Sequence, residues 1–416
     1  MAAPFPSGSR AGTLAGMGPR VVVIGGGIGG LTAAVAFARR GIRAEIYEQA
    51  PELREVGAGV GLWPNAFRAL APLGLAEQVR GLTPRPKGFG FRRTDGKWLL
   101  YQPMDVAEKR WGTSFVSVHR AELQQLLASQ VDRAALHLGH RCSGFAQEKG
   151  RILVRFDGGG EVEADLLVGA DGVHSVVRSQ LLGPARLSYR GYRVARGLTE
   201  AGSVPLPADA WETWGRGARF GLGPISGERL IWYACWNARL GADGDDHTKE
   251  RMLERFGAWL DPIPDVIEAT QDFSLCNDIY DSWPTRSWAK GPIALVGDAV
   301  HPMTPDLAQG ACQAIVDGAT LASCIAEATD VGTGLRAYQK RRAGNAALTT
   351  LTARFSASIG QLKGRRTSAL RDFAFGALPP WFQLRQLDLI VGRACARAGV
   401  ITRTPVPGAA GAFVRR

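Results

Sequence analysis

Arg20-Val-Val-Val-Ile24-Gly25-Gly-Gly27-Ile28-Gly-Gly30 joins a short β-branched run to a glycine-rich turn. Such a run suits a strand buried on both faces of a parallel sheet. A helical pattern follows over about 28–40 and stops at Gly41, a residue free to take the left-handed C-cap conformation. A second strand over 44–47 ends at Glu48, which completes a βαβ start. The glycines fit G-x-G-x-x-G. Gly25 allows the tight turn, Gly27 lets the backbone approach a pyrophosphate, and Gly30 lets helix and strand pack closely. Ile28 opens the helix, whose N-terminus would face the phosphates. Glu48, eighteen residues past Gly30, stands where an acid accepts hydrogen bonds from an adenosine ribose. The unit therefore reads as a dinucleotide site for a free 2′-hydroxyl, hence FAD or NAD.

Two further buried-strand runs lie downstream. Residues 164–168 precede Gly169-Ala-Asp171-Gly172-Val-His-Ser-Val-Val-Arg178, and residues 292–296 precede Gly297-Asp298-Ala-Val-His301-Pro302-Met-Thr-Pro305, with a helix expected over 307–328. Between them, 186–284 differ in texture. Turn signals occur at Gly215-Arg-Gly217 and Ser226-Gly-Glu228, and Trp211, Trp214, Phe220, Trp232, Tyr233 and Trp236 put six aromatics in 26 positions. That pattern predicts an antiparallel sheet with one apolar face. From about 335 the chain is helical and basic, and Leu384, Leu387, Ile390, Val391 and Ala394 line one face of a helix expected to dock on the body. The expected division is a disordered N-terminal extension (1–19), a discontinuous dinucleotide-binding domain (20–185 and 285–345), a sheet domain (186–284), C-terminal helices (346–403) and a flexible tail (404–416).

The order of the glycine turn, Asp171-Gly172 and Gly297-Asp298 over roughly 20–345 resembles the FAD-dependent aromatic hydroxylases, single-component flavoprotein monooxygenases typified by p-hydroxybenzoate and salicylate hydroxylases. The resemblance implies an α/β protein: a glutathione-reductase-like, Rossmann-type FAD domain with an inserted, mostly antiparallel substrate sheet and C-terminal helices. It implies noncovalent FAD, NAD(P)H as cosubstrate, and oxygen added to the flavin as a C4a-hydroperoxide before transfer to an aromatic or polyketide-like molecule. Asp298 would hold the ribityl hydroxyls and Pro305 would lie beside the ring. Backbone N–H groups of Gly310, Ala311 and Cys312 would face the flavin N1/C2 edge, where a positive helix end favours the charge of reduced flavin. Arg120 matches a cofactor-contacting arginine, and Asp171 with Arg178 match a motif linked to FAD and the nicotinamide. Glu55-Val-Gly57-Ala-Gly59-Val-Gly-Leu-Trp63-Pro-Asn65 looks like the second glycine-rich segment of the family. Ala308 and Cys312 depart from the pattern, standing where relatives usually carry Gly and Asn.

Several residues admit two readings. His301 either shapes the turn before Pro302 or carries a proton. Cys312 is either a small packed residue or a redox centre; His119 reads as structural. The aromatic cluster is either core or pocket lining, with Trp63, Trp214, Trp232 and Tyr233 as the lining candidates. The basic C-terminal segment either solvates the last helices or touches anionic membrane, the first reading being preferred.

Charge and cysteines narrow the class. The net charge is +12, but residues 351–416 carry 11 Lys/Arg against 2 Asp/Glu, so the excess is a C-terminal property. No basic-aromatic module accompanies it, which argues against a nucleic-acid binder. Six cysteines without CxxC or a His pattern argue against a metal site and read as reduced thiols of a cytoplasmic protein. The uncharged window at 21–38 is broken by five glycines and parses as strand, turn and helix, not as a membrane span. Rival activities on the same scaffold are epoxidation, Baeyer–Villiger insertion and N-hydroxylation. A flavin-bound reductase or redox sensor that never oxygenates is the rival of a different class.

Overall fold

A computed structural model describes residues 18–53, 59–148, 150–242, 247–273, 275–379 and the single residues Arg385, Asp388 and Val391. The expected disorder of the N-terminal extension up to residue 17, the Glu55–Gly57 part of the second glycine-rich segment and the tail at 404–416 lie outside that range.

The chain is mixed α/β. Val21–Ile24 lies at the middle of a six-stranded sheet, flanked in parallel by Leu166–Gly169 and Ala44–Glu48. Ile293–Leu295 and Leu136–Leu138 continue the parallel set outward, and Ala289–Lys290 closes one edge as an antiparallel partner of Ile293–Leu295. The three strand runs read from sequence are thus neighbours in one sheet, although some 270 residues separate the first from the last.

The glycine turn is shaped by contact distances. Gly25 sits at φ +107°, and a Cβ there would lie 2.4 Å from the Ala170 carbonyl oxygen. A Cβ on Gly30 would lie 2.0 Å from the Gly25 oxygen, so the helix Ile28–Ala38 presses its first turn onto the strand end. On Gly27 it would meet nothing within 4 Å.

A seven-stranded sheet forms the second layer, in the order Cys276–Ser282, Leu187–Leu198, Arg229–Asn237, Ala218–Ile225, Ala210–Trp214, Gly88–Arg93, Trp98–Pro103. The turns at 215–217 and 226–228 fall where expected, between antiparallel partners. Gly88–Arg93 joins in parallel with Ala210–Trp214, so two strands of this sheet come from the first third of the chain. Its outer face packs Trp211, Phe220, Trp232 and Trp236 with Met252 and Phe256 from Lys249–Phe256 and Val266 and Ile267 from Ile263–Glu268. Its inner face turns Tyr192, Val194 and Cys235 toward Ala357 of the long helix Val331–Gly360.

The helix expected over 307–328 begins later, at Gly310, and ends at Glu327. Ala308 takes left-handed values, φ +49° and ψ +39°, which stop the short helical turn Pro305–Leu307 from running on. Of the amphipathic segment expected at 384–400, Val391 is buried in the core, and Asp388 accepts hydrogen bonds from Trp111 Nε1 at 2.8 Å and Arg110 Nε at 2.9 Å. Among the described residues no helix is long and apolar enough to cross a membrane.

These distances separate two glycines of one motif. Gly30→Ala forces a methyl group into backbone and should cost about 1–3 kcal/mol of stability, whereas Gly27→Ala should stay within about 1 kcal/mol of the parent. Urea melts of the flavin-free proteins measure both.

Candidate functional site

The glycine turn ends in an open helix terminus. Gly27 is the N-cap of Ile28–Ala38, no side chain caps it, and the first-turn N–H groups have no intrahelical acceptor. With open space over Gly27, this is a cradle for an anion. Glu48 stands beside it: its Oε2 accepts the Gly26 N–H at 2.6 Å and its Oε1 the Ala50 N–H at 2.9 Å. Each oxygen keeps a lone pair for a further donor, and the two bonds fix where it points. Gln124 Nε2 donates to the Gly26 carbonyl at 2.8 Å and secures the turn from the other side.

Asp298 lies in the short helical turn Gly297–Ala299, just after the strand Ile293–Leu295. Its side chain is open to solvent, yet surrounding protein raises its carboxyl pKa by desolvation, against the pull of His301 and Arg120. The loop carrying it is tied down by Asp317, whose Oδ2 accepts the Gly297 N–H at 3.0 Å and a bond to His301 Nε2 at 2.6 Å, while Oδ1 accepts from Arg342 Nε at 2.6 Å. Burial pushes the Asp317 carboxyl up, but Arg342 and then His301 outweigh it and hold it below its ordinary value. His301 is buried against Trp288 and engaged with Asp317. Through Asp317 it helps to hold the loop that carries Asp298.

The helix Gly310–Glu327 also starts without a side-chain cap, so the N–H groups of Gly310, Ala311 and Cys312 form an open positive end just after Pro305. The Cys312 thiol is fully buried. It receives the Trp63 N–H at 3.4 Å and lies 3.6 Å from the Gly61 carbonyl and 3.5 Å from that of Ala308, which makes it a packed link between two segments.

Asp171 turns out to be occupied. Its carboxylate accepts from Ser175 Oγ at 2.5 Å and from the N–H groups of Val176 and Val177, so it caps the helix Val176–Leu182. These three bonds hold the Asp171-Gly172 turn against the start of that helix. Arg178 is buried with Nε and Nη1 lacking hydrogen-bond partners among the described residues, and desolvation lowers its pKa.

The substrate-side candidates divide between two faces. Tyr233 and Trp214 lie on the inner face: the Tyr233 hydroxyl donates to Glu212 Oε2 at 2.8 Å, and the Trp214 ring sits 4.9 Å from Phe375 of Arg365–Gly376. Trp63 packs 4.9 Å from Phe115 on the segment that also holds Cys312. Trp232 does not join them. It is fully buried on the outer face, stacked on Phe220 at 5.5 Å, with its indole N–H donating to Thr270 Oγ1 at 2.8 Å. Neighbouring strand positions point to opposite faces, so Trp232 and Tyr233 could not both line one pocket.

The inner face also holds a charged network that sequence reasoning missed. Arg219 bonds Asp306 Oδ1 at 2.6 Å and lies 2.9 Å from Glu212 Oε1, while the Tyr192 hydroxyl donates to Asp306 Oδ2 at 2.6 Å. Alternation could have flagged Glu212 and Arg219 as charged residues in apolar strands. Asp317 and Arg342, on separate helices, leave no local signal.

Removing the Asp317 charge strands Arg342, which is completely buried. Asp317→Asn should therefore cost about 3–5 kcal/mol at neutral pH. Because the folded-state pKa of Asp317 is depressed, its contribution is full above the unfolded value near 4 and is lost as pH falls through the folded value. Denaturant melts of parent and variant should converge as the buffer is taken below about pH 4.

Residues 19–352 match the family described as an FAD binding domain. The aurachin C monooxygenase/isomerase of Stigmatella aurantiaca is 37% identical over 326 residues, 78% of this chain and 85% of the relative. The FAD-dependent urate hydroxylase of Klebsiella pneumoniae is 32% identical over 329 residues, again 78% of this chain and 85% of the relative. Among solved structures, Klebsiella pneumoniae HpxO complexed with FAD and uric acid aligns with a TM-score of 0.82 at 27% identity, covering 92% of this chain and 97% of that one. With the glycine cradle and these relatives in agreement, the chain belongs to the FAD-dependent aromatic hydroxylase family and is a flavoprotein monooxygenase.

Proposed function

We propose that the protein uses NAD(P)H and O2 to hydroxylate a small, flat aromatic or polyketide-like molecule, with FAD held noncovalently. One observation carries the reading. The turn Pro305–Gln309 is bonded through Asp306 to Arg219 and Tyr192 of the inner sheet face, and it leads directly into the open helix end at Gly310. A ring held at that helix end would face the sheet that carries Tyr233 and Trp214.

Gly27 and the Ile28 helix end would take the pyrophosphate, Glu48 the adenosine ribose, and Asp298 with Arg120 the ribityl chain. Pro305 would sit beside the ring, and the N–H groups of Gly310, Ala311 and Cys312 at its pyrimidine edge. Arg178, buried and short of acceptors, suits a phosphate of either nucleotide. Bound FAD supplies the electron transfer and oxygen chemistry; the chain supplies orientation and a dry, polar enclosure. Tyr233, its proton directed at Glu212, and Trp214 and Trp63 would shape the substrate pocket. Relatives that act on aurachin and on 3-amino-4-hydroxybenzoate support a role in secondary metabolism.

NAD(P)H oxidation measured with oxygen uptake should be stimulated by a phenol, salicylate, indole or quinolone, with a product heavier by one oxygen atom. Oxidation that no ring stimulates and that yields only hydrogen peroxide would favour a reductase or redox sensor. Asp298→Ala should weaken FAD binding about 10- to 100-fold, the loss of one or two hydrogen bonds to a charged group; fluorescence titration of the flavin-free protein reads it.

A further inference from the structure

Leu348, Leu351 and Phe355 form an exposed apolar stripe along the long helix Val331–Gly360. Spacings of three and four residues put them on one face, and the exposed Ser358 continues the same line. The opposite side of the helix is spoken for, with Tyr338, Ala346, Ala353 and Ala357 buried. Phe355 is 65% exposed. Beside it stands Trp283, 67% exposed, with Arg354 Cζ 4.2 Å from its ring centroid. Single exposed apolar side chains need no explanation, but four that adjoin one another mark a contact surface.

The surroundings of the stripe are basic. The long helix, its link and the helix Arg365–Gly376 carry nine Lys/Arg and one acid, Asp372. Arg342, Arg354 and Arg371 are engaged inside the protein, by Asp317, by Asp281 and by backbone carbonyls. Lys340, Lys363, Arg365 and Arg366 are left exposed. Where the stripe ends, Ser358 and Gln361 border a cavity of about 430 Å³ whose walls include Arg190, Arg239 and Lys363 and no carboxylate. The nearest acid to Arg190 is Asp281, at 3.7 Å, but both its oxygens already accept from Arg354 at 2.8 Å. Arg190 Nε and both polar atoms of the Gln361 amide are buried without a hydrogen-bond partner among the described residues. The cavity therefore offers donors and positive charge to an anion.

We propose that this face of the long helix docks on an anionic lipid bilayer, with Leu351, Phe355 and Trp283 entering the headgroup layer and the Arg190–Arg239–Lys363 cavity taking a lipid phosphate. Apolar side chains inside a basic surround are the two ingredients of interfacial binding, one supplying buried area and the other attraction to anionic lipid. Charge disfavours the other occupants. The chain's own end, residues 392–416, carries five arginines and no acid, and a second copy would bring the same cations to the same face. Sequence alone favoured solvation for the basic C-terminal region; the exposed stripe is what turns the balance. The inference goes beyond the hydroxylase reading and does not depend on it.

Sedimentation of the FAD-loaded full chain with vesicles tests it. Vesicles of equal parts phosphatidylcholine and phosphatidylglycerol should bind the parent about 10- to 100-fold more tightly than phosphatidylcholine alone, and the preference should fade with added salt. The double variant Leu351→Ser, Phe355→Ser should bind the anionic vesicles about 10- to 100-fold more weakly, with FAD content and melting temperature unchanged because both side chains are exposed. The double variant Arg239→Gln, Lys363→Gln should lose most of the preference for the anionic vesicles. A parent that binds neither vesicle overturns the proposal and leaves a protein partner or a second copy as the occupant. Equal binding to both vesicles overturns it as well. So does a Leu351→Ser, Phe355→Ser variant that binds like the parent, since the contact would then lie elsewhere in the chain.

Discussion

The Asp317 carboxylate is the interaction on which the site depends. It is fully buried and accepts at once from the backbone of the loop carrying Asp298, from His301 and from Arg342 of the long helix. A buried carboxylate survives only where its desolvation is offset by an opposite charge and filled lone pairs, and here both conditions hold. Arg342 extends the network to Gln313 at 2.6 Å; Gln313 and Asn65 then both donate to Gln309 Oε1. One chain of bonds thus fixes the Asp298 loop, the start of the Gly310 helix and the segment following Trp63. Two of these, the Asp298 loop and the Gly310 helix start, are where the proposed reading puts the ribityl chain and the ring.

A second network joins that frame to the sheet. Asp306, the residue after Pro305, is held by Arg219 and Tyr192, and Arg219 also faces Glu212, which accepts the Tyr233 hydrogen bond. Burial pushes the Glu212 carboxyl up, against the pull of Arg219. The Pro305 turn and the inner sheet face are therefore parts of one electrostatic unit. Ala308 sits at the joint in a left-handed conformation that ordinarily favours glycine. Its methyl group is tolerated because the surrounding bonds determine the backbone path.

Backbone constraints were the legible part of the sequence. Gly25 and Gly30 are required by contacts of 2.4 and 2.0 Å, so their spacing announces the βαβ turn without any knowledge of the rest. The strand runs ending at Gly169 and near Gly297 were legible for a similar reason, since strands buried on both faces need unbroken apolar stretches. Facing was less legible. Trp232 and Tyr233 are adjacent aromatics, and composition cannot say which of them turns inward. The entry of Gly88–Arg93 into the second sheet depends on pairing across more than a hundred residues. Arg342 and Asp306, which pair with Asp317 and Arg219, come from other elements of the chain, and the bonding of Asp171 to its own helix shows only once the turn is folded.

The central claim is that the chain binds FAD, with the Gly27 helix end and Asp298 as its proposed holds. The most direct measurement is the visible absorption spectrum of the purified protein, taken before and after acid precipitation. The account predicts a yellow protein with flavin bands that, after titration with FAD, carries one FAD per chain and releases it intact into the supernatant. A colourless protein that takes up no FAD, or a flavin that stays with the precipitated chain, would contradict it.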